Sequence, residues 1–319
     1  MFNIKIIGSH KNCLDGNSCM AIESNIDKSI KFKYLLNPNE KFGNNLYFNW
    51  IILLASYICT IKIIFTDIIP SDIINVLNFY RKYNIKIEII DHHHTQQALI
   101  DELIALNFSN LIIDFKPNSK FGATKQLVEK YQEKLTSQQI NFFMKIAACD
   151  MWNKEYFQDF NFFIFGVNLL KFDFNINEFD PDLLWDASLE GDMYTTMFID
   201  DGKKFYCNVK KIIEELIIKT QKIINYLDYN ILLINTSNLP SPYDKMNMIP
   251  VICYYFVNKK TDINTLAIYN NTSKFISLRS IGTGINVSEL AKSCAGGGHK
   301  SAAGCNFNEF IKLTTSNVN

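Results

Sequence analysis

The sequence predicts an α/β protein built on a mostly parallel sheet that helices flank. Short runs rich in β-branched residues alternate with helical stretches along the first half of the chain, which is the spacing of strand–helix–strand units. Polar residues follow several of these runs directly, as at the carboxyl ends of strands in open parallel sheets. The length of 319 residues and a hydrophobic fraction of 48% are sufficient for two domains.

The first half of the chain gives a regular succession of elements. The predicted strands are Phe2–Ile7, Lys62–Thr66, Lys86–Ile90 and Leu111–Phe115. The predicted helices are Asn17–Ser24, Asp72–Tyr83 with Ser71 as N-cap, Thr95–Leu106, Ala123–Lys134 and Ser137–Ala148. The stretch Asn45–Thr60 fits a buried helix, although its β-branched residues leave the assignment open.

The second half begins with a long helix, expected from Asp201-Gly202 to about Leu227, after which the pattern restarts. Strands are expected at Asn230–Asn235, Asn264–Tyr269 and Phe275–Arg279, a helix at Val287–Ser293, and either type around Met248–Phe256. We therefore predict a first domain over 1–200, a linker helix over 201–228 and a smaller α/β domain over 229–319.

Charge and cysteine content restrict the class of protein. Lys+Arg and Asp+Glu both total 32, so a broad basic face for long double-stranded nucleic acid is not expected, whereas a small phosphorylated ligand remains open. The eight dispersed cysteines favour reduced thiols over a disulfide framework. No secretory signal is recognisable, and the apolar stretch Trp50–Ile61 is too short to span a bilayer. We expect a cytoplasmic protein without membrane association.

The run Asp91-His92-His93 follows a predicted strand and contains two of only five histidines. Imidazole nitrogen and carboxylate oxygen together suit Mn²⁺, Zn²⁺ or Fe²⁺, although the run by itself is equally consistent with a polar turn. The same type of position, at or just past a predicted element end, is shared by His10, Asp15, Asp67 and Asp150. Each alone would be ordinary, but their joint placement predicts one metal-centred site. We interpret the neighbouring Cys13 and Cys149 as buried small residues.

The C-terminal run Ala295–Cys305 concentrates glycine, since six of the thirteen glycines fall between positions 282 and 304. Such a run allows backbone amides to approach an anion, and His299 and Lys300 add donors. A flexible glycine turn is the alternative. The spacing is not that of a Walker loop.

Several motifs, taken in chain order, resemble those of the DHH phosphoesterase superfamily. They are Asp67, Asp91-His92-His93, Asp150-x-Trp152, and the pair SLRS and GGGHKSAAG. The second half is similar to the DHH-associated domain of that family, and the resemblance covers nearly the whole chain. It implies a metal-binding catalytic domain with a dinuclear centre, usually of Mn²⁺, a linker helix, and a smaller substrate-binding domain. Co²⁺, Fe²⁺ or Mg²⁺ are alternatives.

The resemblance also implies roles for individual residues. His10 and Asp15 would bind the first metal, Asp67 would bridge both metals, and His92 and Asp150 would bind the second. His93 would contact the scissile phosphate, with Asp91 supporting the site. His94 has no role in the family pattern. The substrate would be bound by Arg279, Gly296, Gly297, Gly298 and His299.

Three residues depart from the family pattern. Asn17 stands where many members have a second carboxylate, which predicts a weaker second metal site. Leu14 replaces a proline, and Phe121 precedes Gly122 where relatives often have serine.

The function that the resemblance implies is metal-dependent hydrolysis of a phosphodiester or phosphomonoester in a small nucleotide. Short oligonucleotides, bisphosphorylated nucleosides and cyclic dinucleotides are the candidate substrates, and a homodimer is left open. A processive exonuclease is less favoured because a long channel needs aromatic and basic groups. The rival hypothesis is a nucleotide-binding sensor whose second metal site is degraded, as Asn17 suggests.

Overall fold

The computed structural model describes residues 2–11, 13–26, 29–37, 40–42, 52–57, 59–173, 179–220, 222–245, 247–259, 261–281 and 285–315. The chain forms two compact units. The first comprises Met1–Phe160 and Asp173–Met197, and the second comprises Asn161–Phe172 and Phe198–Asn319.

The first unit contains a parallel sheet of five strands, in agreement with the predicted fold class. The strands are β1 (Phe2–His10), β2 (Ile30–Leu36), β3 (Cys59–Thr66), β4 (Ile85–Asp91) and β5 (Leu111–Phe115). Their order is β2-β1-β3-β4-β5, and every neighbouring pair is parallel. Isoleucine-rich runs such as Ile61–Phe65 are buried because helices cover a parallel sheet on both faces.

The helices whose bounds lie within the described residues follow the strand–helix alternation in the first half of the chain and continue through the second half. They are α1 (Leu14–Asn25), α2 (Ile73–Tyr80), α3 (Gln97–Leu106), α4 (Ala123–Tyr131), α5 (Ser137–Asp150), α6 (Phe160–Asp173), α7 (Pro181–Leu189), α8 (Gly191–Thr220), α9 (Ile249–Asn258), α10 (Val287–Lys292) and α11 (Phe307–Thr315). Short 3₁₀ turns occur at His94–Gln96, Gln132–Lys134, Thr236–Asn238 and Tyr243–Lys245. None of the helices within the described part of the chain combines the length and apolar character needed to cross a membrane.

Several of the predicted helices begin at other residues, among them α3, which begins at Gln97 rather than at Thr95. Helix α2 begins at Ile73 with Asp72 as its N-cap, and Ser71 instead donates its backbone N–H to the Glu40 carbonyl oxygen. The Asp72 carboxylate accepts the backbone N–H of Phe42, so it anchors a loop rather than the helix. Helix α1 begins at Leu14, three residues earlier than expected.

The long helix expected over 201–227 is present with different bounds. It begins at Gly191 and ends at Thr220, while Lys222–Tyr226 forms a strand. The Asp201-Gly202 pair predicted a helix start because both residues favour helix ends. Gly202 instead lies inside the helix. A Cβ at this position would overlap the backbone carbonyl of Phe162, so glycine permits the two helices to approach closely.

Part of the stretch Asn45–Thr60 lies outside the described residues. Residues 52–56 are helical, and Cys59 and Thr60 already belong to β3. The β-branched residues at the end of this stretch thus mark a strand.

The second unit contains a mixed sheet of six strands. These are β6 (Lys222–Tyr226), β7 (Tyr229–Asn235), β8 (Thr265–Tyr269), β9 (Phe275–Ser280), β10 (Gly297–His299) and β11 (Ala302–Asn306). The order is β10-β11-β9-β8-β7-β6, with only β7 and β8 parallel among the described pairs. The ambiguous stretch around Met248–Phe256 is helical.

A buried ion network lies within the first unit. Glu23 of α1 accepts hydrogen bonds from Lys5 at 3.0 Å and Lys130 at 2.9 Å, and Glu88 of β4 accepts from Lys130 at 3.0 Å. The full network, called the ion network below, comprises Lys5, Glu23, Lys62, Glu88, Lys130 and Tyr131. Charges buried in this way are stable only when paired, as they are here.

Candidate metal centre

Three adjacent strands end in residues that the sequence singled out. His10 is the last residue of β1, Asp67 follows β3, and Asp91 is the last residue of β4. Since these strands are parallel neighbours, their carboxyl ends open onto one edge of the sheet. The structure thereby brings together a strand-edge cluster, which comprises His10, Asp15, Asp67, Asp91, His92, His93 and Asp150.

Asp67 is the centre of the strand-edge cluster. Its Oδ2 lies 3.5 Å from His10 Nδ1, and its Oδ1 lies 3.0 Å from His92 Nε2. The residue adopts φ +60°, a left-handed conformation that is rare outside glycine and recurs at functional sites. The two carboxylate oxygens therefore face different imidazoles, and the backbone accepts an unusual conformation to hold them there.

Asp15 is held by the beginning of α4. The backbone N–H of Thr124 donates to Asp15 Oδ1 at 3.2 Å, and the Thr124 hydroxyl donates to the Asp15 carbonyl oxygen at 3.0 Å. A Cβ at Gly122 would overlap the Asp15 carboxylate, so only glycine fits at this position. Asp15 Oδ2 lies 4.0 Å from His92 Nε2. The helix terminus thus fixes a fully buried carboxylate against the cluster.

Asp150 enters the cluster from the end of α5. Its Oδ2 lies 3.2 Å from His92 Nε2, so His92 is shared by the carboxylates of Asp67 and Asp150. The helix begins with a capping box formed by Thr136 and Gln139, and this capping box fixes the start of the helix.

Asp91 positions His93. One oxygen, Oδ1, accepts the backbone N–H groups of His92 and His93 and, at 2.7 Å, the Nδ1–H of the His93 imidazole. Because a carboxylate only accepts hydrogen bonds, Nδ1 of His93 carries a proton. His94 is exposed and opens the 3₁₀ turn.

Electrostatics within the cluster are dominated by buried carboxylates. Burial, Asp67 and Asp150 together raise the pKa of Asp15 well above its usual range. Burial alone would lower the pKa of His92, but the hydrogen bond to Asp67 and the charge of Asp150 raise it to about 10. The metal-free site therefore uses an imidazolium to balance its excess of negative charge.

The donors of the cluster fit divalent metal ions. Among the described residues, the buried atoms that take part in no hydrogen bond include His10 Nδ1, Asp67 Oδ2 and Asp150 Oδ2, although each lies within ion-pair distance of a neighbour in the cluster. Leaving such atoms unpaired costs about 1–3 kcal/mol each, so their concentration here indicates a cation as the missing partner. One group of ligand atoms within 4.8 Å of one another comprises Asp67, Asp91, His92 and His93, and another comprises His10, Cys13 and Asp67.

Asn17, which replaces the second carboxylate of the family pattern, is buried in α1. Its Nδ2 donates to the Cys13 carbonyl oxygen at 2.8 Å, whereas its buried Oδ1 has no hydrogen-bond partner among the described residues. The side-chain amide nitrogen of Asn17 thus donates to the local backbone, and the amide oxygen accepts no hydrogen bond from the described residues.

The residues expected to bind substrate lie together in the second unit. His299 of β10 is paired with Ala302 of β11, and Ala302 is paired with Arg279 of β9. Directly paired residues share a face of the sheet, so the side chains of His299 and Arg279 flank that of Ala302. Gly296 and Gly298 pack against the β11 backbone, and Gly298 has φ +140°, which requires glycine.

Arg279 is largely committed to its own unit. Its Nη1 donates to the carbonyl oxygens of Leu278, at 2.9 Å, and Ala303, at 3.3 Å. Burial lowers the pKa of the guanidinium, and its Nε has no hydrogen-bond partner within the described part. The buried Nε–H is therefore an unsatisfied donor of this side chain.

Sequence reasoning missed the residues that support Asp15 and undervalued Cys13. Gly122 and Thr124 follow a strand and open a helix, and this position is itself a signal for an anion or carboxylate site. Cys13 is half-buried, and its Sγ lies 3.9 Å from Asp150 Oδ1, unlike the fully packed Cys149.

Among known proteins, the chain is similar only to solved structures. No protein-family model matches the chain, and no curated protein matches it. An uncharacterized protein from Helicobacter pylori is 17% identical, with 97% of each chain covered and a TM-score of 0.41. A pGpG-specific phosphodiesterase from Vibrio cholerae is 13% identical, with 99% of this chain and 97% of that chain covered and a TM-score of 0.48. An exopolyphosphatase-related protein from Bacteroides fragilis is 15% identical, with 98% and 90% covered and a TM-score of 0.49. Membership of the DHH superfamily stays a prediction from the motifs.

Proposed function

We propose that this protein is a metal-dependent phosphoesterase that hydrolyses a small nucleotide. The observation that carries the proposal is Asp67, whose two oxygens face His10 at 3.5 Å and His92 at 3.0 Å. A carboxylate shared in this way suits a bridge between two cations, and paired metal sites recur in phosphatases and nucleases.

The proposed ligands divide into two sets around Asp67. His10 and Asp15 would hold one ion, and His92 and Asp150 the other. Bound divalent ions neutralise phosphate charge and lower the pKa of a water molecule. The chain supplies four aspartates in the strand-edge cluster, so two dications would balance its formal negative charge.

His93 is the proposed catalytic residue. Because Asp91 Oδ1 accepts the Nδ1–H of His93 at 2.7 Å, Nε2 would donate its proton to a non-bridging phosphate oxygen. In the metal-free protein, burial alone would lower the pKa of His93, but the hydrogen bond to Asp91 and the charge of Asp67 raise it to about 9, so that both ring nitrogens carry a proton at neutral pH. Asp91 would act as a positioning residue.

The substrate is proposed to be a short oligonucleotide, a bisphosphorylated nucleoside or a cyclic dinucleotide. A net charge of +0 supports a compact ligand over a long polyanion. In the second unit, Arg279, Gly296, Gly297, Gly298 and His299 are the proposed substrate-binding residues, with the unsatisfied Nε–H of Arg279 as one proposed anion donor. The backbone N–H of Gly296 itself donates to the Ala291 carbonyl oxygen at 2.9 Å, so Gly296 would contribute close packing rather than a donor. We propose Mn²⁺ as the metal.

Asn17 supports a second candidate, a nucleotide sensor with a weakened metal site. Asn17 is buried and neutral where a carboxylate would add charge, so one of the two cations would bind less tightly. A sensor would bind a nucleotide tightly without releasing product.

The test is hydrolysis of a substrate panel by metal-free protein resupplied with Mn²⁺. The panel comprises dinucleotides, bisphosphoadenosine, cyclic dinucleotides and bis-p-nitrophenyl phosphate. We expect Asp67→Asn to lose at least about a thousandfold in kcat/KM, since metal ions contribute several kcal/mol to such reactions. Asp114→Asn, at an exposed carboxylate on β5, is the matched control and should retain activity. Equal activity of Asp67→Asn and wild type would overturn the assignment, and tight nucleotide binding without turnover would favour the sensor.

A further inference from the structure

Cys13 lies against the strand-edge cluster without being one of its expected ligands. Its Sγ belongs to a group in which the ligand atoms of His10, Cys13 and Asp67 all lie within 4.8 Å of one another. The same sulfur lies 3.9 Å from Asp150 Oδ1. Cys13 is the N-cap residue of α1, but its side chain makes no capping hydrogen bond to that helix. The thiol thus lies beside the ligand atoms of the strand-edge cluster and does not cap the helix.

The other two members of this group indicate a ligand independently of the cysteine. Asp67 is only 1% exposed, and its Oδ2 has no hydrogen-bond partner among the described residues. His10 Nδ1 is also buried and lacks such a partner, although it lies 3.5 Å from that oxygen. Two unsatisfied buried atoms and a sulfur therefore meet at one place, where a cation would satisfy all three.

Other cysteines of the first unit differ from Cys13 in their surroundings. Cys19 Sγ is paired with the Thr124 hydroxyl at 3.5 Å. Cys149 is buried beside Asp150 and belongs to none of the ligand groups found among the described residues. Position next to the site does not by itself make a cysteine a ligand, and Cys13 alone of these three shares a group with an imidazole and a carboxylate.

We propose that Cys13 is a further metal ligand, together with His10 and Asp67, and that its sulfur shifts the metal preference of this site. The proposal rests on the proposed metal centre and names which ions it would favour. Nitrogen, oxygen and thiolate donors together suit Zn²⁺, Co²⁺, Fe²⁺ and Cd²⁺, whereas Mn²⁺ and Mg²⁺ prefer oxygen. The ligand is the thiolate, so the thiol proton leaves to solvent when the ion binds.

The expectation is a difference between wild type and a variant. All such sites bind Zn²⁺ more tightly than Mn²⁺ because of the general order of metal affinities. A sulfur ligand further favours soft ions such as Cd²⁺ over Mn²⁺. The substitution Cys13→Ser replaces the sulfur with a hard oxygen donor of similar shape. We expect the ratio of Cd²⁺ to Mn²⁺ affinity to fall by about 10–100-fold in Cys13→Ser, the range seen when the environment of a metal ligand is altered.

The experiment titrates metal-free full-length protein with Cd²⁺ and with Mn²⁺. Binding is followed by calorimetry, and the ultraviolet thiolate-to-cadmium charge-transfer absorption reports a cadmium–thiolate bond directly. Wild type and Cys207→Ser, at the exposed cysteine of α8, should show the band, and Cys13→Ser should not. X-ray absorption at the cadmium edge of the wild-type protein counts sulfur neighbours without any variant, so the test survives if Cys13→Ser fails to fold.

Three results would overturn the proposal. These are Cd²⁺ binding to wild type without the band, persistence of the band in Cys13→Ser, and an unchanged affinity ratio in that variant. Under each of these three results, Mn²⁺-dependent hydrolysis by the wild-type protein can still be measured. Failure of the proposed function would instead appear as absent hydrolysis with every metal, so the two failures are distinguishable.

Discussion

Two clusters of charged side chains share the strands of the first sheet. Strand β1 supplies Lys5 to the ion network and His10 to the strand-edge cluster, and β4 supplies Glu88 to the network and Asp91 to the cluster. Both clusters are largely buried. They differ in how far their charges are satisfied within the protein.

In the ion network every carboxylate oxygen accepts a hydrogen bond. Glu23 accepts from Lys5, Lys130 and Tyr131, and Glu88 accepts from Lys62 and Lys130. In the strand-edge cluster one oxygen each of Asp67, Asp91 and Asp150 accepts no hydrogen bond from the described residues, although those of Asp67 and Asp150 lie within ion-pair distance of an imidazole. The satisfied cluster contributes to folding, whereas the unsatisfied one offers ligand atoms that could hold a metal ion.

The largest effect on folding is expected from Glu23→Gln in the ion network. The substitution leaves Lys5, whose side chain is 7% exposed, without its compensating charge. Breaking a buried pair in this way costs about 3–5 kcal/mol. Urea unfolding of the metal-free protein should show this loss, while Mn²⁺ affinity of the folded variant stays at the wild-type value. A loss of metal affinity without a loss of stability would reverse the roles assigned to the two clusters.

Metal binding should strengthen as the pH rises from about 6 to 8, by about tenfold per pH unit for each proton displaced. In the metal-free protein the pKa of His92 is raised to about 10, so the imidazole is protonated below that value. A cation must displace this proton, and displacement becomes easier at higher pH. Titration with Mn²⁺ in buffers of different ionisation enthalpy measures the protons released. Affinity independent of pH would exclude His92 as a ligand.

Gly122→Ala should weaken metal binding by about 10–100-fold. The added Cβ overlaps the Asp15 carboxylate and displaces it from the backbone N–H of Thr124. Gly304→Ala is the control, because the contact of its Cβ with the Ile276 carbonyl oxygen would be an ordinary 3.6 Å. Calorimetric titration with Mn²⁺ compares the two variants, and equal affinities would show that Asp15 does not bind the ion.

The smallest effect concerns the pH dependence of stability. Burial alone would raise the pKa of Glu88, but Lys62 and Lys130 lower it below its usual value. A carboxylate with a depressed pKa contributes stability that is present above its unfolded pKa of about 4.3 and is lost as the pH falls through the folded value. The unfolding free energy of wild type should therefore fall more steeply than that of Glu88→Gln at acidic pH. Parallel curves would refute the role of the ion network in acid stability.

Much of the sheet was predictable because it depends on local pattern. The run Leu111–Phe115 is a strand with the predicted bounds, and the polar residues after β3 and β4 mark strand ends. The strand Ile30–Leu36 was not predicted, since its lysines alternate with apolar residues at an edge of the sheet. The glycine run also gave no indication of strands β10 and β11, because glycine has low strand propensity.

The residues of the candidate centre were predictable from type and position, whereas their partners were not. His10, Asp67 and His92 follow the strand-end pattern, but the bonds between Asp15 and Thr124 join residues far apart in sequence. The pairing of Lys130 with Glu23 likewise depends on how α4 packs beside α1. Such contacts follow from tertiary structure and leave no periodic signal.

The most direct test of the central claim is calorimetric titration of Mn²⁺ into three metal-free proteins, namely wild type, Asp67→Asn and Glu88→Gln. We predict saturable binding to wild type and to Glu88→Gln, and a loss of at least about 10–100-fold in affinity for Asp67→Asn. The unsatisfied cluster would then be the metal centre and the satisfied network would not. Equal affinity of Asp67→Asn and wild type, or no binding to the wild-type protein, would contradict the account.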